Sequence, residues 1–497
     1  MKVLQAVLFA FVLYESPTFA SIPNALLRLN CETVNRVCYL KNIFASEDDR
    51  YKDVYGGESS DSIEFFDSHI HTMPKIPFVK SVQAKGINLV RIGEKTFATV
   101  KHLDVSYNRL RDFSAKAFEW PEELLTLTLS GNPLLKELSV VRKLTGLVEL
   151  RMAEMKLDLE FVDADIFAGM KQLKQLVLRD NKITKIPVGI FSKLESLEKL
   201  DLSKNLITRI LSVENNSFMV VDQVDLSDNK LIGIGPSAFY NKSELGTLIL
   251  SKNGQLRNFE FLKNLHTLHT LIMTHMNFTF EGLPLNVFSN LDLLTTLDLS
   301  NNEIADLPLG IFADLSSVNF INLRHNQISH VEFGTFSIRK YDLIDEIDLS
   351  YNEISDVNYL VFVPLKYLRT LLLHGNRIAY VNTSHLKRNK SLQNFGIQHN
   401  PIRCSDLVDL LAIFKLVLDG REFVAHEPNV DDLHQKFCQV KRFSIRWWNH
   451  DGVRIEKSTI ADLPWSSWSR SYGKLVPATT SARERHHNRL ACGSEYR

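Results

Sequence analysis

The sequence predicts an α/β repeat solenoid, curved into a horseshoe with a parallel sheet on its concave face and little helix on its convex side. Asparagine recurs behind a leucine pattern, most cleanly every 24 residues, as from Asn181 to Asn205 to Asn229. A phenylalanine recurs on the return side of the units, as at Phe191 and Phe312. A period within ~20–50 residues is typical of stacked coils that share one core.

The repeated motif is Leu-x-x-Leu-x-Leu-x-x-Asn, which is the leucine-rich repeat. Each repeat is expected to form one short parallel strand, such as residues 200–202, whose leucines pack against the next coil. Bulky phenylalanines on the return side widen that side, so the stack should curve. Aligned on the asparagine position, thirteen repeats fall at residues 108, 132, 155, 181, 205, 229, 253, 276, 302, 326, 352, 376 and 400.

The repeated asparagine is expected to lie buried, with its amide bonded to backbone groups of the adjoining loops. Met155 and Met276 replace it in two repeats and cannot make those bonds. We therefore expect each methionine to weaken the ladder locally, by ~1–3 kcal/mol where a backbone group is left unpaired. Residues 130–207 resemble residues 251–328 at a constant offset of 121, which indicates that one block was duplicated together with its methionine.

The start of the chain predicts secretion. Residues 1–20 contain Lys2, an apolar run over residues 3–13 and small residues ending at Ala20, which is the layout of a signal peptide. The run is shorter than the ~20 residues that span a bilayer, and no later apolar segment is longer, so no membrane anchor is predicted. Five glycosylation sequons agree with secretion, at Asn215, Asn241, Asn277, Asn382 and Asn389.

The remaining boundaries follow from cysteines and composition. Residues 21–60 are predicted to form an N-terminal cap, 61–402 the solenoid, 403–439 a C-terminal cap with a helix over 407–418, and 440–497 a basic, Trp-containing, largely disordered tail. No cysteine lies between Cys38 and Cys404, so the predicted disulfides, Cys31 with Cys38 and Cys404 with Cys438, flank the repeats. Cys492 is left over and either pairs between chains or stays free.

Charge and motifs exclude several function classes. The chain has 58 basic and 58 acidic side chains among 497 residues, so no global field attracts nucleic acid or an anionic membrane. It contains no His-Glu-x-x-His, no Gly-x-Ser-x-Gly and no phosphate loop, and we predict no catalytic residue, cofactor or metal. We interpret the aspartates at the middle of many strands as framework residues, and His269, His275, His325, His374 and His399 as solvated surface histidines, in preference to a cation row or a pH switch.

A group of branched and aromatic side chains is the candidate ligand contact on the concave face. The group consists of Thr247, Ile249, Thr270, Ile272 and Phe320. Exposed apolar side chains on such a surface are unusual without a partner.

Several motifs resemble known families. The loop Ile-Pro-Val-Gly-Ile-Phe at residues 186–191 resembles the repeat class of extracellular animal proteins such as Toll receptor ectodomains. Three segments are similar to mosquito leucine-rich immune proteins. They are Cys31-x6-Cys38, Ile-Glu-Phe-Phe-Asp-Ser-His-Ile-His-Thr-Met-Pro at 63–74 and His-Asn-Pro-Ile-Arg-Cys-Ser-Asp-Leu at 399–407. That resemblance implies a secreted haemolymph factor, and some family members stabilise complement-like thioester proteins. Those members pair through a C-terminal coiled coil. No heptad run follows Cys438 here, so the chain resembles the coil-less branch, and its oligomeric state stays open.

The predicted function is therefore a secreted, non-enzymatic protein that binds protein or microbial ligands in innate immunity. The partner implied by the resemblance is a complement-like thioester protein or a microbial surface. The alternative is an extracellular matrix or developmental signalling protein that binds a receptor or growth factor.

Overall fold

The computed structural model describes residues 61–76, 78–211, 221–239, 244–336 and 343–402, together with short strands near both ends of the chain. The chain divides into two compact units, Met1–Asn264 and Leu265–Arg497. Each unit contains a ladder of short parallel strands, one per repeat, with almost no helix between them. This confirms the leucine-rich repeat solenoid predicted from the sequence.

The first unit builds its ladder from strands that pair in register. In each three-residue strand the central residue is buried and its neighbours face outward, as in Lys199–Asp201, where Leu200 is 1% exposed. Leu200 lies between Leu176 and Val224 of the adjoining strands. The parallel strands are Val37–Lys41, Ser62–Phe66, Ser81–Gln83, His102–Asp104, Thr126–Thr128, Glu149–Arg151, Gln175–Val177, Lys199–Asp201, Gln223–Asp225 and Thr247–Ile249.

Smaller elements lie around this ladder. Two-residue parallel pairs join the return loops: Leu27–Arg28 with Val54–Tyr55, Phe44–Ala45 with His69–Ile70, Arg91–Ile92 with Asp112–Phe113, and Arg209–Ile210 with Gly233–Ile234. Short 3-10 helices cover Pro121–Glu123, Val141–Lys143, Leu159–Phe161 and Glu260–Asn264. At the N-terminal edge Asn30–Glu32 pairs antiparallel with Val37–Lys41, which sets Cys31 opposite Cys38. Cys38 is buried and disulfide-bonded, and this register supports the predicted Cys31 to Cys38 pair.

The second unit repeats the architecture. Its parallel strands are Thr270–Ile272, Thr296–Asp298, Phe320–Asn322, Glu346–Asp348, Thr370–Leu372 and Asn394–Gly396. A 3-10 helix covers Tyr359–Phe362, and within the described ranges the α-helix is limited to Thr383–Leu386. Phe312 stacks against Phe288 and Phe336, with ring centroids 6.4 and 5.6 Å apart, so the repeated phenylalanines form a continuous column in the core. No helix in the described part of the chain is long and apolar enough to cross a bilayer.

The C-terminal strands correct the predicted capping helix. Lys415–Leu418, the end of the helix predicted over 407–418, is a strand that pairs antiparallel with Arg421–Glu422, and Leu418 lies opposite Arg421. Pairing with Arg421–Glu422 and with Phe443–Arg446 favours a strand over a helix end at this place. Phe443–Arg446, inside the predicted disordered tail, is also a strand and pairs with both Lys415–Leu418 and Asn394–Gly396. Cys404, Cys438 and Cys492 lie outside the described residues.

The asparagine ladder is present as predicted. Asn205 is 3% exposed, its Nδ2 donates to the carbonyls of Leu178 and Leu202 at 3.0 and 2.9 Å, and its Oδ1 accepts from the Ile183 N–H at 3.1 Å. Each asparagine thus joins its own coil to the preceding one, which explains why the residue repeats.

Met155 departs from the expected loss of backbone bonds. Asn181 of the next repeat accepts from the Met155 N–H at 2.9 Å, and it also donates to the Met152 carbonyl at 2.8 Å. The carbonyl of Leu129 keeps its bond from Asn132. Because these backbone groups retain partners, the expected penalty for an unpaired group does not apply to them. Met276 shows the same arrangement with Asn302.

Candidate ligand-binding face

The face of each strand ladder that points away from the leucine core is the ladder face. It carries the first and third side chains of every strand, followed by two positions in the turn. Residues at these positions point away from the leucine core. They are therefore the part of each unit that can vary with function.

Aspartates at the third strand position have a framework role. Oδ1 of Asp201, Asp225, Asp298 and Asp348 accepts the backbone N–H of the serine two residues later, at 2.8–2.9 Å. This local bond closes the turn after the strand and confirms the framework interpretation. Burial raises the pKa of Asp225 to about 6, and repulsion from Asp201 adds to the shift.

The predicted contact group divides between the two units. Thr247 and Ile249 end the ladder of the first unit, while Thr270, Ile272 and Phe320 lie in the second, where Thr296 separates Thr270 from Phe320. All five residues are half-buried, so the description of them as exposed was wrong. Their side chains lie against those of adjacent strands, ~4.8 Å away. Their contact with a ligand stays a prediction.

The second unit also holds a cluster that sequence reasoning missed. Arg324, His325, Tyr351 and His374, here the Arg324 cluster, meet on the ladder face from three consecutive repeats. The Arg324 guanidinium carbon lies 4.4 Å from the centroid of the Tyr351 ring. Its Nη1 lies 3.4 Å from Ser350 Oγ and 3.2 Å from His374 Nε2. When Nη1 donates to His374 Nε2, that imidazole is neutral and carries its proton on Nδ1.

Tyr351 is fixed in place by its neighbours. The His325 ring stacks on it at 4.5 Å with an interplanar angle of 16°, and the His374 ring meets it edge-on at 5.2 Å. On the side of the next repeat lies Gly375, with a φ of +69°. A Cβ at that position would lie 2.6 Å from Tyr351 Cδ1, so the ring can lie flat only because residue 375 is glycine.

The first unit contains the same arrangement of tyrosine over glycine. Tyr107 covers Gly131, where a Cβ would come within 2.7 Å of Tyr107 Cδ1. Lys85 Nζ lies 4.9 Å from the Tyr107 ring, and the Tyr107 hydroxyl donates to Glu154 Oε1 at 3.0 Å. In both units the glycine follows the tyrosine by 24 residues, a pattern visible in the sequence.

The charges around the Arg324 cluster perturb one another. Burial, followed by repulsion from Asp348 and Asp345, raises the pKa of Glu346 to about 7. Burial lowers the pKa of His374 and of His325, and the nearby Arg324 charge acts in the same direction. Asp348 opposes both histidine shifts.

His269, His275, His325 and His399 are exposed as predicted, whereas His374 is half-buried.

We expect Glu346→Gln to stabilise the protein at pH 8 by ~2 kcal/mol and much less at pH 5. The folded-state pKa of Glu346 lies above its ordinary value of 4.5, so the folded chain retains a proton that the unfolded chain releases. Ionised Glu346 therefore destabilises the unsubstituted chain fully above pH 7, and this effect disappears as the pH falls. Urea midpoints at both pH values test this. Glu332→Gln, at an exposed position of the same unit, should shift both midpoints equally. Equal shifts for Glu346→Gln would contradict the expectation.

The sequons differ in accessibility. Asn277 is exposed, whereas Asn389 is 5% exposed and its Nδ2 donates to the Phe362 carbonyl at 3.0 Å. Asn382 caps the helix Thr383–Leu386. Asn215 and Asn241 lie outside the described residues. Glycosylation stays a prediction, and among the described sequons Asn277 is the best exposed to receive a glycan.

The described ranges contain no group of three or more His, Cys, Asp or Glu placed to hold a metal ion.

Comparisons with known proteins agree with the fold. The family model described as "Leucine rich repeat" matches residues 156–219 and 266–328. Curated proteins show no sequence match. Among solved structures, the Drosophila Toll-Spatzle complex has a TM-score of 0.59 at 17% identity, covering 76% of this chain and 52% of that chain. This chain therefore spans about half of the matched Toll-Spatzle chain.

Two further structures have lower scores. A leucine-rich repeat protein of Leptospira interrogans has a TM-score of 0.51 at 17% identity, covering 71% of this chain and 87% of its own. The LRIM1/APL1C complex has a TM-score of 0.50 at 18% identity, with coverages of 84% and 74%. At these identities the likeness shows the fold alone.

Proposed function

We propose that this leucine-rich repeat chain is a secreted, non-enzymatic protein of innate immunity that binds a protein ligand through the ladder face of its second unit. The observation that carries the proposal is the Arg324 cluster. Tyrosine and arginine are the residue types that most often dominate binding energy at interfaces. Here both are already held by stacking and hydrogen bonds, so little side-chain freedom is lost when a ligand binds.

Apolar surface beside the cluster extends the proposed contact. The strand Phe320–Asn322 leads directly into Arg324, and Leu372 occupies the ladder face two residues before His374. Phe320 and Leu372 are both half-buried, as is Ile272 nearer the start of the unit. A polar centre with apolar neighbours is typical of a protein interface.

Secretion and immunity rest on separate observations. The signal-peptide layout of residues 1–20 and the exposed sequon at Asn277 support export. The resemblance of residues 63–74 and 399–407 to mosquito immune proteins supports immunity, and a complement-like thioester protein or a microbial surface is the corresponding ligand. The Toll-Spatzle complex is a molecular hub in Drosophila development as well as in innate immunity. A developmental signalling role is accordingly the second candidate.

We expect Arg324→Ala to weaken capture of the natural partner by about 30-fold, because hot-spot truncations cost ~2 kcal/mol or more. The full chain serves as bait in body fluid before and after infection, and mass spectrometry identifies the bound proteins. Affinity for the recovered partner is then measured for the variant. Lys85→Ala, which removes the cation over Tyr107 in the first unit, is the matched control and should bind normally.

Two results would count against the proposal. Equal affinity of Arg324→Ala and the unsubstituted chain would remove the cluster from the interface. Recovery of growth factors or receptors, with no immune component after infection, would favour the developmental alternative.

A further inference from the structure

We infer that the Arg324 cluster recognises a single side-chain carboxylate of the protein partner. This inference rests on the proposed function, because it assigns ligand chemistry to the same face. It starts from the charge of Arg324. Two other arginines of the unit are paired, Arg369 with Asp345 and Arg377 with Glu353 at 3.1 Å. Within the described ranges, no carboxylate lies within 4.0 Å of the Arg324 guanidinium.

The Arg324 guanidinium is held in place, but not all of its N–H donors are used. Its Nη1 faces Ser350 Oγ and His374 Nε2, and its central carbon lies over the Tyr351 ring. All three partners are uncharged. Among the residues that the structure describes, none accepts a hydrogen bond from Nε or Nη2 of Arg324. Arginine binds a carboxylate through two parallel N–H bonds, so these free donors match a carboxylate in both geometry and charge.

The Tyr351 hydroxyl provides a further donor. In the first unit the equivalent Tyr107 hydroxyl is occupied by Glu154. The residue at the Glu154 position in the second unit is His399, and no described residue bonds to the Tyr351 hydroxyl. The two tyrosines are therefore held in the same way, each over a glycine of the next repeat. The one beside Arg324 keeps its hydroxyl available to a ligand, and His325 and His399 add exposed imidazoles at the rim.

The acidic residues of the same face favour an isolated carboxylate over a polyanion. Asp298, Glu346 and Asp348 occupy strand positions in the repeats that carry or adjoin Arg324. A nucleic acid strand has a phosphate at every step and would be placed against these groups. One aspartate or glutamate side chain can reach the guanidinium without meeting them. The half-buried Phe320 and Leu372 would receive apolar neighbours of that side chain.

Acid should strengthen this recognition. Protonation of Glu346, whose pKa is about 7, removes a negative charge from the face. Protonation of His325 and His374 adds positive charge. The other groups that face these histidines or Glu346 are His275, His399, Asp348 and Asp345, and Asp345 is paired with Arg369. Protonated His374 can no longer accept from Arg324 Nη1, so that N–H also becomes available to the ligand. We therefore expect carboxylate affinity to rise as the pH falls from 7.5 to 5.5.

The test uses the full chain and a fluorescent hexapeptide with one glutamate among five glutamines, here the glutamate peptide, measured by anisotropy at pH 7.5 and 5.5. We expect saturable binding that tightens several-fold at pH 5.5, and no binding of hexaglutamine. Arg324→Ala should weaken binding of the glutamate peptide about 10-fold or more, and Arg324→Lys by an intermediate factor, because lysine keeps the charge but loses the two-bond geometry. Tyr351→Phe keeps the stacked ring and removes only the hydroxyl, so a smaller loss is expected from a folded variant. Lys85→Ala is again the control.

The outcomes separate this inference from the proposed function. If the glutamate peptide fails to bind while Arg324→Ala still abolishes capture of the natural partner, the interface stands and the carboxylate assignment falls. If the glutamate peptide binds through Arg324 while the substitution leaves binding of the natural partner unchanged, the carboxylate site stands and the proposed interface falls. A single-stranded oligonucleotide that binds more tightly than the glutamate peptide, and through Arg324, would overturn the choice of a protein carboxylate.

Discussion

Replacing Gly146 by alanine is expected to destabilise the first unit by ~3 kcal/mol or more. A Cβ at this position would lie 1.8 Å from the carbonyl oxygen of Glu122 and 2.7 Å from its carbonyl carbon. These are backbone atoms of the preceding coil, so no side-chain rotation can relieve the clash. The two coils would have to separate just before Thr126–Thr128 pairs with Glu149–Arg151, which would weaken the strand ladder at that point.

The measurement is the free energy of unfolding in urea, with Gly169→Ala as the matched control. A Cβ at Gly169 would meet the Thr145 methyl at 3.3 Å and the Arg142 carbonyl at 3.5 Å, contacts that a small shift can accommodate. We expect a loss below ~1 kcal/mol for the control. Similar losses for the two variants would show that the close approach at Gly146 does not limit stability.

The repeat made most of the fold predictable from sequence. The leucines and asparagines act between neighbouring coils, so one requirement recurs about every 24 residues and becomes visible as a period. The ends lack that repetition. Residues 415–418 have an apolar pattern that suits a helix or a strand, and the strand is favoured by pairing with Phe443–Arg446, which is distant in sequence.

The site was less predictable because it depends on contacts across repeats. The sequence placed His325 and His374 among the surface histidines of the C-terminal half, but it did not show that Arg324 would lie between Ser350, His374 and the Tyr351 ring. That arrangement depends on the missing Cβ of Gly375, one repeat beyond the tyrosine. A search for tyrosine followed by glycine at the repeat interval would have found both Tyr351 and Tyr107.

Asn205→Met is the second substitution for which we expect a large effect, a loss of ~3 kcal/mol in the free energy of unfolding. The substitution copies what the chain itself has at Met155, but in a repeat where the asparagine oxygen accepts from the N–H of a fully buried residue. Asn205 Oδ1 is the acceptor for the Ile183 N–H at 3.1 Å, and Ile183 is fully buried. Methionine offers no comparable acceptor, so this N–H would lose its partner away from water.

The carbonyls that Asn205 joins are less affected. Leu178 and Leu202 keep bonds from Asn181 and Asn229. The loss should therefore come mainly from the one buried N–H, together with the broken link between coils. Met155→Leu is the control, because it changes shape at a buried position without removing a polar bond and should cost less than ~1.5 kcal/mol. If urea unfolding gives equal losses for the two variants, the asparagine ladder contributes no more than apolar packing. A loss at Asn205 at least twice that at Met155 would instead assign the periodic asparagine its stabilising role between coils.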